Sequence, residues 1–270
     1  MDKILEGMLI SLREENGNIY NVIISNSSIK IKGLGVFNPM KILENVSFGE
    51  QIMIGSKCIT LLPPRNPELV KGMERRAQII QPKDAGVLIA KMGIGSSSRV
   101  LEAGLGSAAL ALHISNVLGK DGVHVTVEEK DVHSEVGLRN LDKQRNTRVN
   151  PPIHHHISGR IEESINEISR INTLFDAIIL DLPEHASAIK SVVKFLDIGG
   201  RIACYCPVTS QIETVWDTCV NEGLEIEWAG ELIERTWGRA SKGGIRPVNG
   251  PFGHTAFLLI AARFNKINQS

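Results

Sequence analysis

The chain has 270 residues, 30 basic and 30 acidic side chains, no formal net charge and 42% hydrophobic residues. That length holds one large α/β body plus a smaller appendage, and the charge balance excludes a bulk basic footprint, so any nucleic-acid contact must be local. No apolar run approaches the ~20 residues of a membrane span, and the start, Met-Asp-Lys-Ile-Leu-Glu, lacks the basic and apolar signature of a secretory leader, so a cytoplasmic chain without membrane attachment is expected.

Residues 1–64 read as a small N-terminal β domain. Strand-like runs Met8–Arg13, Ile19–Ser25, Ser28–Ile31, Gln51–Ile54 and Lys57–Leu62 are separated by Asn/Gly turns. Pro63-Pro64 stops the last strand, and Asn66-Pro67 opens a short helix. From residue 65 to 270 the pattern changes to strands alternating with helices. A helix over Lys83–Met92, with Asp84 as a candidate cap, precedes a strand over Arg99–Ala103 and a helix over Ser107–Leu118. A second strand ends at Glu128 and is followed by a helix from about Asp131 to Arg145. A third strand (Ile153–Ile157) leads to a helix over Ile161–Ser169, and a fourth, Phe175–Leu180, reaches Asp181. A helix around His185–Phe195 and a Gly199-Gly200 turn introduce a fifth strand, Arg201–Cys206. A helix from Ser210 to Asn221 and strands over Leu224–Ile233 and Thr255–Arg263 complete the series. Such alternation predicts a doubly wound, mainly parallel sheet. The last two strands, joined without a helix, predict an antiparallel hairpin at one edge.

Chemistry concentrates where strands end. Val100-Leu-Glu-Ala-Gly-Leu-Gly-Ser107 is a strand, a glycine turn and a helix start, where backbone approaches a nucleotide-like ligand closely. Gly104-Leu-Gly106-Ser-Ala-Ala109 fits both the dinucleotide fingerprint GxGxxA and the ExGxGxG pattern of S-adenosylmethionine-dependent methyltransferases; a plain strand–turn–helix connection is the third alternative. Glu128 ends the next strand, placed to accept from ribose hydroxyls. Acids around the loop, Glu102 within it, suit a sulfonium, whereas a pyrophosphate needs the positive end of a helix dipole. Asp181 stands at the lip of an apolar strand that Pro183 stops. His154-His155-His156 occupy a strand, where neighbours face opposite sides, so no metal is expected there. Cys204 and Cys206 share one face of a buried strand and read, with Cys58 and Cys219, as packing residues of a reducing compartment.

Taken together and in order, Arg76-Ala-Gln78-Ile-Ile-Gln-Pro-Lys83-Asp84-Ala85, the glycine turn, Leu180-Asp-Leu-Pro183, Tyr205-Cys-Pro207 with Gln211, Glu234-Arg-Thr-Trp237, Arg246-Pro247 and Gly253-His-Thr-Ala-Phe-Leu258 resemble the tRNA (adenine-N1)-methyltransferase family. The resemblance runs from about residue 70 to 264. It implies a class I methyltransferase with a Rossmann-like sheet, S-adenosyl-L-methionine as cofactor, a T-loop adenine of tRNA as substrate and a homotetramer. Carried over, the cofactor site is Gln78, Gly104, Leu105, Gly106, Ser107, Glu128, His133, Gly159, Arg160 and Asp181. Asp181 matches the active-site aspartate that faces the exocyclic amine of the base, and Gln81, Arg246 and His254 fall on the substrate side.

Three positions depart from the family pattern. Leu105 stands where relatives usually have Thr and offers only its backbone N–H. Ala108 replaces a glycine and is expected to add a methyl beneath the cofactor. Gln81 stands where many relatives have an aromatic residue, and aromatic stacking is worth roughly 1–3 kcal/mol per base. A non-catalytic or altered-specificity tRNA-binding relative, or a methyltransferase of another substrate, are the rival readings. Basic segments available for phosphates are Arg75/Arg76, Arg139–Arg148 with Lys143 and Arg145, and Arg235–Arg246 with Arg239 and Lys242.

Overall fold

A computed structural model describes residues 4–241, 243–248 and 253–265; Lys242 lies outside them. Short Ile/Leu/Val-rich runs punctuated by turn residues form β1 (Leu9–Glu14), β2 (Ile19–Ile23), β3 (Ile29–Ile31), β4 (Gly35–Phe37), α1 (Pro39–Leu43), β5 (Gln51–Ile54) and β6 (Lys57–Leu62). Four of these strands make an antiparallel sheet of order β2-β1-β6-β5, and β3 pairs with β4 alone. Alternate residues such as Ile10, Leu12, Ile59 and Leu61 point into one buried cluster. Sequence reasoning did not anticipate β4 and α1. The signal was Asn38-Pro39: the Asn38 side chain accepts the Lys41 N–H at 3.1 Å, a helix cap with proline behind it.

Helix α2 (Asn66–Lys71) ties this β region to the rest. Asn21 on β2 donates to the carbonyls of Glu68 and Leu69, at 3.2 and 3.1 Å. The chain then alternates: α3 (Pro82–Met92), β7 (Arg99–Ala103), α4 (Ala109–Val117), β8 (Val123–Glu128), α5 (Asp131–Arg145), β9 (Ile153–Ser158), α6 (Ile165–Ile171) and β10 (Phe175–Leu180). It continues through α7 (Ala186–Val192), a 3₁₀ turn, β11 (Leu196–Cys206), α8 (Thr209–Asn221), β12 (Glu225–Gly230), β13 (Trp237–Arg239), β14 (Ile245–Pro247) and β15 (Phe257–Ala262).

Seven strands form one sheet of order β12-β15-β11-β10-β7-β8-β9. β7 to β11 run parallel, and β15 is antiparallel to β11 and to β12. The expected edge pair is present, with β15 inside and β12 outside. The β13–β14 ribbon inserted between them was not foreseen. Both faces of the central strands are buried: Leu101 and Ala103 belong to one core, Val100, Ala177 and Ile179 to the other. Such strands read as continuous apolar runs in the sequence.

Gly199 and Gly200 do not precede the fifth strand. They lie inside β11, where the register against β10 jumps between Phe175 and Ala177; a Cβ on Gly200 would sit 2.9 Å from the Asp197 carbonyl oxygen. The helix expected from Ile161 starts at Ile165, because Gly159–Ser164 forms a turn instead, with Ser164 N–H bonded to Arg160 O at 3.1 Å. Successive strands leave β7 in opposite directions, so the carboxyl ends of β7 and β10 meet at a switch point, where doubly wound sheets open a crevice.

Candidate active site at the carboxyl ends of the strands

A cavity of about 470 Å³ opens at that switch point, lined by the ends of β7, β8, β9 and β10 and by the loop before α3. Its size falls within the range of small-molecule sites. Gly104 forms the floor with φ +90°, and a Cβ there would meet the Asp181 carbonyl oxygen at 2.1 Å. The Asp181 N–H in turn donates to Ala103 O at 2.9 Å. Only glycine allows these two strand ends to touch.

Glu128 is buried at the end of β8 and accepts two backbone N–H groups, Gly106 to Oε2 at 2.8 Å and Lys130 to Oε1 at 3.0 Å. His133, one turn into α5, has Nδ1 3.6 Å from Glu128 Oε1. Gly159 (φ +135°) donates to Glu128 O at 2.9 Å, carrying Arg160 onto the opposite rim. The rim is acidic: Glu128, Glu129, Glu162, Asp181 and Glu184 line it against Lys130 and Arg160. Burial, and then the charges of Glu102 and Glu128, push the Asp181 carboxyl up to about 7.

Gln78, Gly104, Gly106, Glu128, His133, Gly159, Arg160 and Asp181 are therefore brought together on one cavity. Leu105 and Ser107 lie outside its lining. The Leu105 N–H leans on Val127 O at 3.4 Å, and its side chain is buried in a cluster with Leu112 and Leu141. Ser107 Oγ accepts the N–H groups of Arg76 and Ala77, at 2.9 and 3.0 Å, pinning the loop that carries Gln78. Ala108 does not line the cavity either: the residue is fully buried in that cluster at φ +67°.

Gln81, Arg246 and His254 also lie outside the lining. Gln81 is the N-cap of α3 and makes no side-chain cap bond; Asp84, expected to cap, is buried in the first turn and bonded to Lys83 and Thr255. Arg246 is exposed on the ribbon. His254 is engaged by Glu231 and the Pro207 carbonyl.

Glu102 is not a rim acid. It points to the far face of β7, fully enclosed, with Oε2 2.9 Å from His124 Nε2. Burial pushes its carboxyl up to about 8, and burial, with Arg145 nearby, pulls His124 down to about 3. His154 and His156 bond Thr126 at 3.0 Å each while His155 is exposed, and among the described residues no His/Cys/Asp/Glu group is arranged for a metal ion.

Glu162, Lys130 and Gln211 line the cavity and were not assigned a role from the sequence, whereas Glu184 belongs to the stretch after β10 that was expected to face the substrate. Gln211 had a readable signal in the Tyr-Cys-Pro stretch before it. Its Nε2 donates to Pro183 O at 3.1 Å, bracing the loop after β10. Gly137, inside the α5 pattern, was a second signal, since a Cβ there would sit 2.9 Å from Gly106 O.

Of the basic segments, Arg139 and Lys143 hold Glu74, and Arg145 and Arg148 hold backbone carbonyls. Arg75, Arg76, Arg235, Arg239 and Arg246 are exposed.

The turn's N–H groups decide between the ligands its glycines allow. Those of Gly104, Leu105 and Gly106 are all spent within the protein, on Val127 and Glu128. Those three N–H groups are not free to form a phosphate nest, and the acidic rim suits a cation. Fold and site together define a class I methyltransferase-type α/β protein. At 22% identity the chain superposes on a S-adenosylmethionine-dependent O-methyltransferase from Thermotoga maritima with a TM-score of 0.81, over 98% of this chain and 96% of that one. It does so on the tRNA (m1A58) methyltransferase TrmI of Aquifex aeolicus with a TM-score of 0.72, also at 22% identity, over 98% and 100%.

Residues 58–238 match the family described as the tRNA methyltransferase complex GCD14 subunit, and the chain belongs to that family. It is 29% identical over 218 residues to the tRNA (adenine(57)-N(1)/adenine(58)-N(1))-methyltransferase TrmI of Methanocaldococcus jannaschii, covering 74% of this chain and 77% of that one. It is 27% identical over 209 residues to the tRNA (adenine(58)-N(1))-methyltransferase TrmI of Thermus thermophilus, covering 74% and 75%.

Two substitutions check this geometry. Gly104→Ala forces strand ends apart and lowers stability by about 1–3 kcal/mol, read as a lower urea midpoint; an unshifted midpoint contradicts the contact. Glu102 has a folded pKa raised above its unfolded value, so its contribution is fully present below about pH 4 and is lost as pH rises through 8. Glu102→Gln is therefore expected to flatten the fall of Tm between pH 5 and 8. An unchanged slope removes the assignment.

Proposed function

We propose that the protein transfers a methyl group from S-adenosyl-L-methionine to N1 of a T-loop adenine in tRNA. The observation that carries the reading is Glu128. Both its oxygens are fixed by backbone N–H groups and each keeps a lone pair for a ribose hydroxyl, on an acidic rim in a chain of the GCD14 family. In this reading Gly104 and Gly106 pass beneath the methionine part, Glu128 and His133 hold the ribose, and Gly159 and Arg160 flank the adenine ring. Bound there, the cofactor supplies an electrophilic methyl on a sulfonium.

Adenine N1 has its own lone pair, so the protein needs neither a strong nucleophile nor a metal. Its task is alignment and exclusion of water. Asp181, at the lip, accepts a hydrogen bond from the exocyclic amine and stabilises the positive charge that grows on the base. Only the ionised carboxylate does this, and in the free enzyme that form is gained as pH rises through about 7. Gln211 keeps the Asp181–Pro183 loop in place through the Pro183 carbonyl. The target base of folded tRNA has to be extruded to reach this lip, and the exposed Arg75, Arg76, Arg235, Arg239 and Arg246 suit phosphate contacts around it.

A division into 1–64 and 65–270 belongs to the same proposal, supported by the separate buried cluster of the N-terminal strands. So do a homotetramer and a cytoplasmic location. For assembly the support is the exposure of Trp237 (64%) and Ile245 (71%) on the ribbon.

The deciding experiment incubates unmodified tRNA with the protein and labelled S-adenosylmethionine, followed by mass spectrometry of the nucleosides. Labelled 1-methyladenosine is expected, and its absence ends the reading. Asp181→Ala is expected to bind the cofactor but to lower kcat by about 10²-fold or more, and to remove the rise of kcat/KM through pH 7. Turnover near wild type would take Asp181 out of the mechanism. Since the Ala108 methyl faces the core, Ala108→Gly is expected to leave cofactor affinity within about twofold by calorimetry; a large gain would return that methyl to the cavity.

A further inference from the structure

Residues 254 and 255 lie outside the cavity lining but are held on both sides by residues that reach it. Thr255 Oγ1 donates to Asp84 Oδ2 at 2.9 Å and accepts from Lys83 Nζ at 2.8 Å. Lys83 Nζ closes the ring on Asp84 Oδ1 at 2.6 Å. Asp84 is completely buried and the Lys83 side chain only 15% exposed. On the other side His254 Nδ1 lies 2.8 Å from Glu231 Oε2, and its Nε2 lies 3.1 Å from Pro207 O. The ring stacks beside Phe257 with centroids 4.5 Å apart.

The two anchorages connect to different parts of the cavity lining. Lys83 and Asp84 form the first turn of α3, whose preceding loop brings Ala77 and Gln78 to the cavity. Pro207 lines the cavity from the end of β11. The backbone N–H of Asp84 also donates to Gln81 O at 3.0 Å, so the same residue fixes the end of the loop. An enclosed ion pair is a poor stabiliser, because desolvation offsets the attraction and apolar replacements are often neutral or better. Its geometric effect is larger: one carboxylate takes two directed bonds from two different segments.

We infer that the Lys83–Asp84–Thr255 ring, continued through His254, is a positioning device that sets the spacing between the Gln78 loop and Pro207 and thereby the width of the entrance for the substrate base. This rests on the proposed methyl transfer to tRNA. The residues touch neither reacting atom; they act through the walls they hold.

The test compares wild type, Lys83→Met/Asp84→Leu and Thr255→Val in the full chain. It measures Tm, S-adenosylmethionine affinity by calorimetry, and kcat and KM with a tRNA transcript. The double variant is expected to keep Tm and to bind the cofactor within about twofold, while kcat/KM for tRNA falls roughly tenfold or more. Thr255→Val, which leaves the ion pair intact, is expected to lower it about threefold. Folded variants with wild-type kcat/KM overturn the inference, as does a parallel loss of cofactor affinity, which would mark a general scaffold role. If the double variant does not fold, Thr255→Val decides alone by the same criteria. Wild type that leaves tRNA unmethylated overturns the functional reading and this inference with it, an outcome distinct from variants that match an active wild type.

Discussion

The contact between Gly104 and the Asp181 carbonyl oxygen sets the scale of the whole site. β7 and β10 are neighbours in the sheet, and their ends would diverge if either turn carried a side chain at that point. With Gly104 bare, the glycine turn and the strand-end carboxylate share one floor, and the Asp181 N–H reaches back to Ala103. Glu128 then locks the turn from the other side by accepting the Gly106 N–H. Two backbone approaches and one buried carboxylate thus fix the three components of the cavity before any ligand arrives, the condition under which positioning lowers a barrier.

Burial raises the Asp181 carboxyl most, and Glu102 and Glu128 add to that rise across this small volume. Glu128 is satisfied by two N–H donors. Glu102 is enclosed beside His124, and burial lifts its carboxyl to about 8. Asp181 stands at the lip with its carboxyl raised to about 7. A cation in the cavity faces both Glu128 and Asp181.

Much of the polar chemistry away from the cavity serves to hold loops that carry no regular structure. Ser107 binds the Arg76–Ala77 backbone, Asn140 donates to Glu74 O and Ser107 O, and Glu74 is gripped by Arg139 and Lys143. These bonds explain why a basic run on α5 is not a free electrostatic surface. Arg75 and Arg76 on their loop and Arg235, Arg239 and Arg246 on or beside the β13–β14 ribbon are exposed, and a chain of zero net charge meets RNA through such local groups.

The sequence by itself determined the alternation of strands and helices, the glycine turn and the acids that end β8 and β10. Those depend on periodicity, on turn chemistry and on strand ends, all of which are local. Gly104, Glu128 and Asp181 were legible for that reason, as were most element boundaries from α3 to β12. Tertiary structure alone decided where side chains point once segments pack. Glu102 turned away from the cavity because its strand position faces the opposite layer. Ser107 and Leu105 became supports because their partners are distant in the chain, and Asp84 left its capping role for Thr255, which only the folded sheet brings near. The ribbon escaped notice since its three-residue strands carry too little pattern, and the glycines inside β11 read as a turn because a bulge and a turn use the same residue.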